Sequence, residues 1–505
     1  MRLENSVRNI RAAWIFQLIH ILCQFITRTV IIKVLTIEYV GLSGLFSNVL
    51  TMLSLAELGI GEAIIFSLYS PIAKKDEKTI KAIMVFYKKI YICVGVLILV
   101  VGVAITPYIN FFIKDIPDIK DISLIYVLYV FNSGVSYFFS YKSAFVTATQ
   151  SNYLVVLNNG IWEILMVISQ IVSLYFTKDY VIYMCIGVAF VVIRNISITI
   201  LANHKFSYLR EKSKDKIPTD IVNQIKKNTG AMILHKIGTV IVFATSNIIL
   251  SKFVGLISVG IYTNYYTITN SVSLFINKFF DAISASVGNL AVEENTETQE
   301  KVFYRVLFVN FGLYTFACTC LMSLLNPFVR DMWLGPEYLF SQEIVALLVI
   351  QTYVTGMRRA TQTFKNAKGL YWYNRYMPIY ESILNLVASI VLVNVIGVAG
   401  VILATIISSI CTCVWIEPHV LYKYGFQKSA KNFYIRYLKY GFVFLCVMGV
   451  TFAITSLIGG TGILFFIVKM IISGVLPLLA IFAIYHKSDE FNYFMDILKR
   501  KFIVR

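Results

Sequence analysis

The sequence predicts an all-α polytopic membrane protein. Its 505 residues are 58% hydrophobic and only 14% charged, and the mean hydropathy is +0.74. A soluble domain of this size carries about 25% charged residues. Apolar runs of roughly 20 residues, long enough to cross a bilayer, recur along the chain. A spanning backbone must satisfy its own hydrogen bonds, and the alternation of a membrane barrel is absent, so we expect these runs to be helices.

The apolar runs predict about 14 transmembrane helices, each able to cross a hydrocarbon core of about 30 Å. The first run is too long for a cleavable signal peptide, and further spans follow it. The predicted bounds are 12–34, 43–68, 83–106, 121–145, 154–176, 180–202, 229–252, 258–282, 303–326, 341–364, 375–396, 398–420, 436–458 and 462–486.

Lysine and arginine fall unevenly between the predicted loops. Five segments rich in them lie on one side of the predicted membrane: 70–89, 203–228, 358–375, 420–440 and 487–505. The positive-inside rule makes that side cytoplasmic, so both termini are expected in the cytoplasm. The net charge of +18 therefore reflects membrane orientation, and no nucleic-acid partner is expected.

A short internal repeat divides the chain in two. The segment EYVGLS at 38–43 matches ISVGIY at 257–262 through a Val-Gly pair at an offset of 219, and the sequence around Glu163 matches that around Glu381 at nearly the same offset. Each half holds six predicted helices, so both enter the membrane from the same side as a pseudo-two-fold pair of lobes around a central cavity. The predicted parts are an N-lobe at 1–211, a cytoplasmic linker at 212–228, a C-lobe at 229–425, and a C-terminal helix pair with a cytoplasmic tail at 426–505.

Many ionisable side chains fall at membrane depth, where each costs about 2.5–3.5 kcal/mol on insertion scales and usually faces protein or a water-filled cavity. Most lie in the cytoplasmic half of their spans, which predicts an aqueous vestibule open to the cytoplasm. Its basic residues suit an anionic head group, because arginine binds phosphate through two parallel donors. The candidate substrate-binding residues are Arg28, Lys236, Arg358, Arg359, Arg194 and Lys278. The candidates for ion coupling or ion pairing are His20, Glu57, Glu163 and Glu381.

Several of these candidates have a simpler structural interpretation. Lys278, Asp281 and Arg359 lie within about a turn of the interface, and their side chains can extend to it. Glu163 and Glu381 can each form a structural ion pair inside one lobe.

Glu57 belongs to the apolar run SLAELGIGEAI at 54–64. At a helical rise of about 1.5 Å per residue it lies roughly 15 Å from the cytoplasmic edge. An acid at this depth needs a partner, and the expected ones are His20 and Arg194.

The sequence carries no enzyme or cofactor signature. The glycines at 59 and 61 lack the third glycine and preceding strand of a phosphate loop. The eight cysteines fall mostly in apolar runs, without metal-ligand spacing, and are interpreted as small apolar fillers. The outer loops are too short for a catalytic domain. We therefore expect no enzyme activity, metal or cofactor, and energy from an ion gradient or the membrane potential.

Five segments, in order, carry a family resemblance. They resemble bacterial polysaccharide repeat-unit flippases of the multidrug/oligosaccharidyl-lipid/polysaccharide exporter (MOP) superfamily. The segments are LAELGIGEAIIFSLYSPIAKKDEKTIKAI (55–83), FVGLISVGIYTNYYTI (253–268), SVGNLAVEE (286–294), WLGPEYL (333–339) and RRATQTFKNAKGLYWYNRYMPIYESILNLVASIVL (358–392).

The resemblance implies two six-helix lobes around a central cavity, plus a final helix pair. It implies an alternating-access flippase that moves undecaprenyl-pyrophosphate-linked oligosaccharide repeat units from the cytoplasmic to the outer leaflet of the bacterial cytoplasmic membrane. The product would serve capsule, exopolysaccharide or similar surface polymer assembly. The expected partners are the lipid-linked oligosaccharide, the bilayer, and a polymerase and glycosyltransferases of the same pathway.

Cationic cavity residues that contact the pyrophosphate are the theme of that family. In this sequence the residues at a suitable depth in the membrane for that contact are Arg28, Lys236 and Arg358. Relatives often carry an acid where this chain has Ser246. If that acid serves ion coupling, coupling in this chain would use another group or differ in kind.

Three alternatives remain open at this point. A multidrug or cation antiporter of the same superfamily would favour an acidic pocket, whereas the candidate residues lean basic. A membrane polysaccharide polymerase or ligase would need a sizeable outer loop. A passive lipid scramblase is compatible with the sequence.

Overall fold

The computed structural model describes the backbone of residues 2–57, 59–210 and 217–503. Side chains are described for 14–55, 57, 59–61, 63–209, 217–223, 225, 237–238, 240–242, 244–284, 286–291 and 293–496. The regular structure of these residues is entirely helical, which confirms the predicted all-α fold class.

The chain divides into two compact units, Met1–Gly260 and Ile261–Arg505. The predicted lobe and linker boundaries stay a prediction. Helices that begin in the first unit are α1 (Arg2–Val34), α2 (Ile37–Leu53), α3 (Ile60–Lys74), α4 (Glu77–Ile105), α5 (Ile122–Ala148), α6 (Asn152–Thr177), α7 (Tyr180–Lys205), α8 (Thr219–Phe253) and α9 (Leu256–Glu293).

The second unit continues with α10 (Thr296–Pro327), α11 (Gln342–Ala367), α12 (Met377–Ile396), α13 (Val398–Cys411), α14 (Cys413–Val420), α15 (Lys431–Ser456), α16 (Ile463–Tyr485) and α17 (Asp489–Ile503). Short 3-10 segments occur at Ser54–Glu57, Thr106–Phe112, Ser207–Arg210, Pro336–Tyr338 and Leu370–Asn374, and π-helical turns at Phe328–Trp333 and Leu421–Phe426.

Ten helical segments in the described part of the chain are long and apolar enough to span a membrane, so this is a multi-pass membrane protein. The other four predicted spans are also helical, but they are shorter or more polar, and the count of fourteen stays a prediction. The ten segments are Trp14–Val34, Glu77–Phe112, Ile122–Ala148, Asn152–Thr177, Tyr180–Lys205, Thr296–Trp333, Leu370–Ile396, Val398–Phe426, Lys431–Ser456 and Ile463–Tyr485.

The second predicted span, 43–68, was wrong as one continuous helix. Helix α2 ends at Leu53, a 3-10 turn covers Ser54–Glu57, and α3 begins at Ile60. Gly59 has φ 77°, in the left-handed region, which glycine adopts without the steric cost of a Cβ atom. The break places Glu57 at an interruption of the backbone ladder.

A second predicted span is interrupted as well. The span predicted at 398–420 is interrupted at Thr412, whose hydroxyl donates to the Ser408 carbonyl at 2.6 Å. Residues 219–228 of the predicted linker belong to α8, and residues 211–216 lie outside the described residues.

Side-chain caps explain where several helices begin. At the start of α4, the Thr79 backbone N–H donates to Asp76 at 3.1 Å and the Thr79 hydroxyl donates at 2.6 Å. These two bonds hold the pKa of the Asp76 carboxyl below its ordinary value, and the bond from the Thr79 hydroxyl has the larger effect. Asn295 accepts from Thr298 N–H at 2.9 Å at the start of α10. Such caps satisfy backbone donors that a helix leaves unpaired.

Within the first unit, α5 packs against α4 and α7, α6 packs against α1 and α7, and α8 packs against α2 and α3. Within the second unit, α10 packs against α11, α15 and α16, and α13 packs against α11 and α12. Large buried side chains of α10, including Phe303, Phe311 and Tyr314, fill this second core. The predicted C-terminal helix pair, α15 and α16, is therefore an integral part of the second unit.

The glycines that the sequence repeat aligned make reciprocal close approaches. A Cβ atom on Gly41 would lie 2.2 Å from the Leu256 carbonyl oxygen, and one on Gly260 would lie 2.7 Å from the Ile37 carbonyl oxygen. Leu256 and Ile37 are themselves related by the offset of 219. The symmetry of these contacts agrees with the repeat at this point.

Candidate functional site

A cavity of about 190 Å³, lined by both polar and apolar side chains, lies among the membrane helices of the first unit. Helices α1, α2, α5, α6 and α7 supply its walls. Arg28 of α1 is a half-buried side chain in this wall. The lining residues are Cys23, Gln24, Thr27, Arg28, Ile31, Val40, Ser43, Tyr129, Glu163, Met166, Val167, Gln170, Tyr180 and Tyr183.

Tyrosine hydroxyls surround the Arg28 side of the cavity. Tyr129 and Tyr180 are hydrogen-bonded through their hydroxyl groups at 2.9 Å. The rings of Tyr180 and Tyr183 stack with centroids 5.1 Å apart. A guanidinium and phenolic O–H groups are all hydrogen-bond donors, so this wall suits phosphate oxygens.

His20 and Glu163 join α1 to α6 beside the same cavity. His20 Nδ1 lies 2.5 Å from Glu163 Oε1, and Gln24 Nε2 lies 2.8 Å from His20 Nε2. With the Gln24 amide as assigned, it donates to Nε2, so the neutral ring carries its proton on Nδ1 and donates to Glu163. A second proton on Nε2 would require Gln24 to present its oxygen instead. His20, Gln24 and Glu163 thus form one hydrogen-bonded chain beside the cavity.

Arg194 of α7 stands near this pair. Its carbonyl oxygen accepts from the Asn158 amide at 3.2 Å, and its half-buried guanidinium interacts electrostatically with Glu163. The structure thus brings Arg28, Arg194, His20 and Glu163 into neighbouring positions in one unit.

Glu57 does not pair with His20 or Arg194, so that predicted partnership was wrong. Its carboxylate accepts from the Tyr91 hydroxyl and, at 3.4 Å, from the Tyr137 hydroxyl. The reason is positional: the helix break turns Glu57 toward α4 and α5, whereas His20 is held by α6.

Arg358 lies in a buried ion-pair network in the second unit. Its Nε is 3.2 Å from Glu417 Oε2, and its Nη1 is 3.1 Å from Glu381 Oε1. Lys365 Nζ is 3.4 Å from Glu417 Oε1, and the Ser409 hydroxyl donates to Glu381 at 3.0 Å. Two bases and two acids thus compensate one another inside the protein.

The sequence analysis missed Glu417 and Lys365. Glu417 is only 2% exposed at its side chain and Lys365 only 5%. The available signal was depth, since Glu417 falls inside the span predicted at 398–420. Lys142 was missed likewise; it is buried and donates to the Asn203 side chain at 2.8 Å.

The remaining candidate bases fall into two groups. Arg359 forms an ion pair with Asp281, an exposed side chain of α9, and Lys278 is half-buried one turn away. The side chains of Lys236, His235 and Glu62 lie outside the described residues. The substrate-binding roles of Arg359, Lys278 and Lys236 stay predictions.

In the described part of the chain, no group of three or more His, Cys, Asp or Glu side chains is arranged to hold a metal ion. The eight cysteines are free thiols. The expectation of no cofactor stays a prediction.

The helical membrane fold is one that this chain shares with solved flippase and transporter structures. The lipid II flippase MurJ, in an inward closed conformation, superimposes with a TM-score of 0.65 at 14% sequence identity, over 96% of this chain and 99% of that one. A multidrug resistance MATE transporter of the MOP superfamily, inward-facing, gives a TM-score of 0.59 at 13% identity, over 78% of this chain and 93% of its own.

A third similar structure is a MOP superfamily transporter from Pyrococcus furiosus. It is described as having a binding pocket of reversed polarity that suggests a different function. Its TM-score is 0.58 at 13% identity, over 85% of this chain and 97% of that one. No curated protein sequence shows a significant match.

The family itself follows from the sequence match. The model of the family described as "Polysaccharide biosynthesis protein" matches residues 6–284. This is more than half of the chain, and the protein belongs to that family. The predicted resemblance is confirmed at this level.

Proposed function

We propose that the protein is a flippase for a lipid-linked oligosaccharide. It would carry an undecaprenyl-pyrophosphate-linked repeat unit across the bacterial cytoplasmic membrane by alternating access, with both termini in the cytoplasm. Support comes from membership of a polysaccharide biosynthesis family and from a fold shared with a lipid II flippase. The observation that carries the proposal is Arg28 beside tyrosine hydroxyls in a cavity at membrane depth.

In this proposal Arg28 binds the pyrophosphate. A planar guanidinium can donate two parallel hydrogen bonds to phosphate oxygens. Of the Tyr129 and Tyr180 hydroxyls, the one that accepts their mutual hydrogen bond can donate its own proton beside it. The sugar would cross through an aqueous path while the lipid tail stays in the hydrocarbon, where it avoids the cost of exposure to water. The central cavity that this path requires stays a prediction.

Energy coupling is assigned to His20 and Glu163. The pair sits next to the Arg28 wall, and in this proposal it exchanges one proton during transport. Protonation of either partner would make the pair one charge unit more positive beside a bound pyrophosphate and so strengthen its binding. A proton gradient could then bias binding on one side of the membrane.

Arg358 is given a structural role instead. Its charge is compensated by Glu381 and Glu417 at contact distance, so little attraction remains for a phosphate. The polymerase and glycosyltransferases of the pathway remain proposed partners.

A binding measurement tests the proposal. A ligand that binds only the folded protein raises its stability by RT ln(1 + [L]/Kd). Undecaprenyl-pyrophosphate-linked oligosaccharide should therefore raise the unfolding temperature of the purified protein, and Arg28→Ala should remove that increase. No increase with the wild type would contradict the proposal.

The rival function is a multidrug antiporter, which the likeness to MATE structures favours. A cationic drug such as ethidium should leave the unfolding temperature unchanged if the flippase proposal holds. Stabilisation by ethidium and not by the lipid-linked oligosaccharide would favour the rival.

A further inference from the structure

An open groove runs along the outside of the α6–α7 helix pair. Its volume is about 800 Å³, within the range of about 300–1,000 Å³ that ligand pockets usually have. Apolar side chains line most of its length. The lining residues are Tyr153, Leu154, Trp162, Ile193, Ile196, Ser197, Ile200, Leu201, His204 and Lys205. None of them lines the Arg28 cavity.

The middle of the groove has an apolar surface that suits a hydrocarbon chain. Ile193, Ile196 and Ile200 are 40%, 43% and 63% exposed although they belong to a membrane-spanning helix. Trp162 closes one end, with its ring centroid 6.2 Å from that of Phe190. Exposed apolar side chains of a spanning helix face lipid, so an acyl chain would occupy this surface.

The opposite end of the groove is basic. His204 and Lys205 are exposed in the last turn of α7. Lys205 Nζ donates to Ser151 Oγ at 2.8 Å and lies 5.9 Å from the centroid of the Tyr153 ring, so the ammonium group is held at the mouth. Among the residues whose side chains the structure describes, the lining contains no carboxylate to neutralise it.

The basic end also stands at the right height for a head group. A helix of 26 residues rises about 39 Å, more than a hydrocarbon core of about 30 Å. The last turn of α7 therefore reaches the interface. The amphipathic ring of Tyr153 also favours this level, because tyrosine is enriched at membrane–water interfaces. Basic pockets between membrane helices at this level bind anionic lipid head groups.

We propose that this groove is a binding site for an anionic membrane phospholipid. The phosphate of the lipid contacts Lys205 and His204, and one acyl chain lies over Ile200, Ile196 and Ile193 toward Trp162. The charge at the mouth selects an anionic lipid over a zwitterionic one. The site does not depend on what the protein transports.

Trp162 supplies a direct readout, because bromine atoms on a lipid chain quench the fluorescence of a tryptophan in contact with them. The protein has five tryptophans, so the Trp162 signal is taken as the difference between the wild type and Trp162→Phe. The protein is reconstituted in vesicles containing brominated phosphatidylglycerol or brominated phosphatidylcholine. We expect phosphatidylglycerol to be preferred about fivefold, the ratio that one basic side chain near a membrane surface gives.

Matched variants locate the preference. Lys205→Gln should abolish it, whereas Lys178→Gln, at the other end of the same helix pair, should leave it unchanged. Ile196→Phe should reduce quenching by both lipids, because the larger ring fills the acyl position. Equal quenching by both lipids in the wild type, or a preference that survives Lys205→Gln, would overturn the proposal.

A competition arm separates the phospholipid from a transported lipid. Unlabelled phosphatidylglycerol should reverse the quenching, and undecaprenyl phosphate at the same mole fraction should not. If undecaprenyl phosphate displaces the brominated lipid preferentially, the groove is a polyprenyl site and the phospholipid assignment fails. Neither result depends on transport, so failure here is distinct from failure of the flippase function.

Discussion

Arg28 and Arg358 show that the role of an arginine inside a membrane protein depends strongly on the side chains around it. Arg28 lines a cavity beside tyrosine hydroxyls, whereas two carboxylates contact Arg358. Depth in the sequence predicted the same phosphate-binding role for both. The neighbours favour that role for Arg28 and a structural one for Arg358.

Substitutions at Arg28 test its geometry as well as its charge. Arg28→Lys keeps a positive charge but loses the planar fork of donors, and Arg28→Ala removes both. We expect Arg28→Ala to abolish transport and Arg28→Lys to retain only a small part of it. The measurement is the flipping rate in vesicles, with the unfolding temperature as control. Full transport by Arg28→Ala would refute the role.

The Arg358 network predicts a stability effect. Glu417→Gln leaves Arg358 and Lys365 with one acid between them, and breaking a buried pair typically costs about 3–5 kcal/mol. Glu300→Gln is the matched control: Glu300 lies 2.5 Å from Lys428, but the Lys428 side chain is 43% exposed, and exposed pairs are worth about 0–1 kcal/mol.

Denaturant unfolding in detergent compares the free energies of unfolding of these two variants. The structural assignment requires a much larger loss for Glu417→Gln than for Glu300→Gln. Equal losses would show that the network does not stabilise the fold.

Glu163→Gln tests the coupling pair. Glutamine can still accept from His20 Nδ1 but cannot exchange a proton at the carboxylate. We expect near-normal folding and a transport rate that no longer responds to a proton gradient. The readout is flipping with the vesicle interior acidic, neutral or alkaline. A gradient response equal to that of the wild type would exclude this pair as the coupling group.

Several ionisable residues at membrane depth were predictable from the sequence, but their partners were not. An ionisable residue inside an apolar run of the sequence is enough to identify the candidates His20, Glu57, Glu163 and Glu381. Which residue meets which depends on helix packing: Glu163 meets His20 across α1 and α6, 143 positions away. The predicted partners of Glu57 failed because a helix break redirects its side chain.

At the scale of helices, two glycines fix how closely chain segments approach. Gly41 lies against the Leu256 carbonyl and Gly260 against the Ile37 carbonyl, with no room for a Cβ atom. The sequence repeat drew attention to both positions. The repeat could not show that each glycine packs against the chain segment that contains the other, because an offset in the sequence gives no information on distances in space.

A methyl group at Gly41 should therefore force the two segments apart. We expect Gly41→Ala to lower the unfolding temperature measurably. Gly441→Ala, on α15 where a Cβ atom would meet nothing within 4 Å, should be neutral or slightly stabilising, since alanine favours a helix over glycine by about 1 kcal/mol. Equal unfolding temperatures for the two variants would contradict the close approach.

Helix boundaries were predictable to within a few residues where the apolar pattern is strong. The span predicted at 375–396 is α12 at Met377–Ile396, and that at 462–486 is α16 at Ile463–Tyr485. The breaks at Gly59 and Thr412 were not predicted, because hydropathy contains no information on backbone conformation. A glycine with positive φ is the physical cause of the first break.

At the scale of the whole molecule, composition predicted the membrane class, and the resemblance of five segments predicted the family that the family model shows. The chain belongs to a polysaccharide biosynthesis family and has the fold of MOP superfamily transporters. The transported molecule depends on a few polar side chains in an apolar protein. It is therefore the least determined property and the one to measure.

The most direct measurement is flipping by the purified protein. Vesicles with a labelled undecaprenyl-pyrophosphate-linked oligosaccharide in one leaflet would report when the head group reaches the other, with and without a proton gradient. We predict appearance of the head group with the wild type, faster with the gradient, and none with Arg28→Ala. No transfer above protein-free vesicles, or equal transfer by Arg28→Ala, would contradict the account.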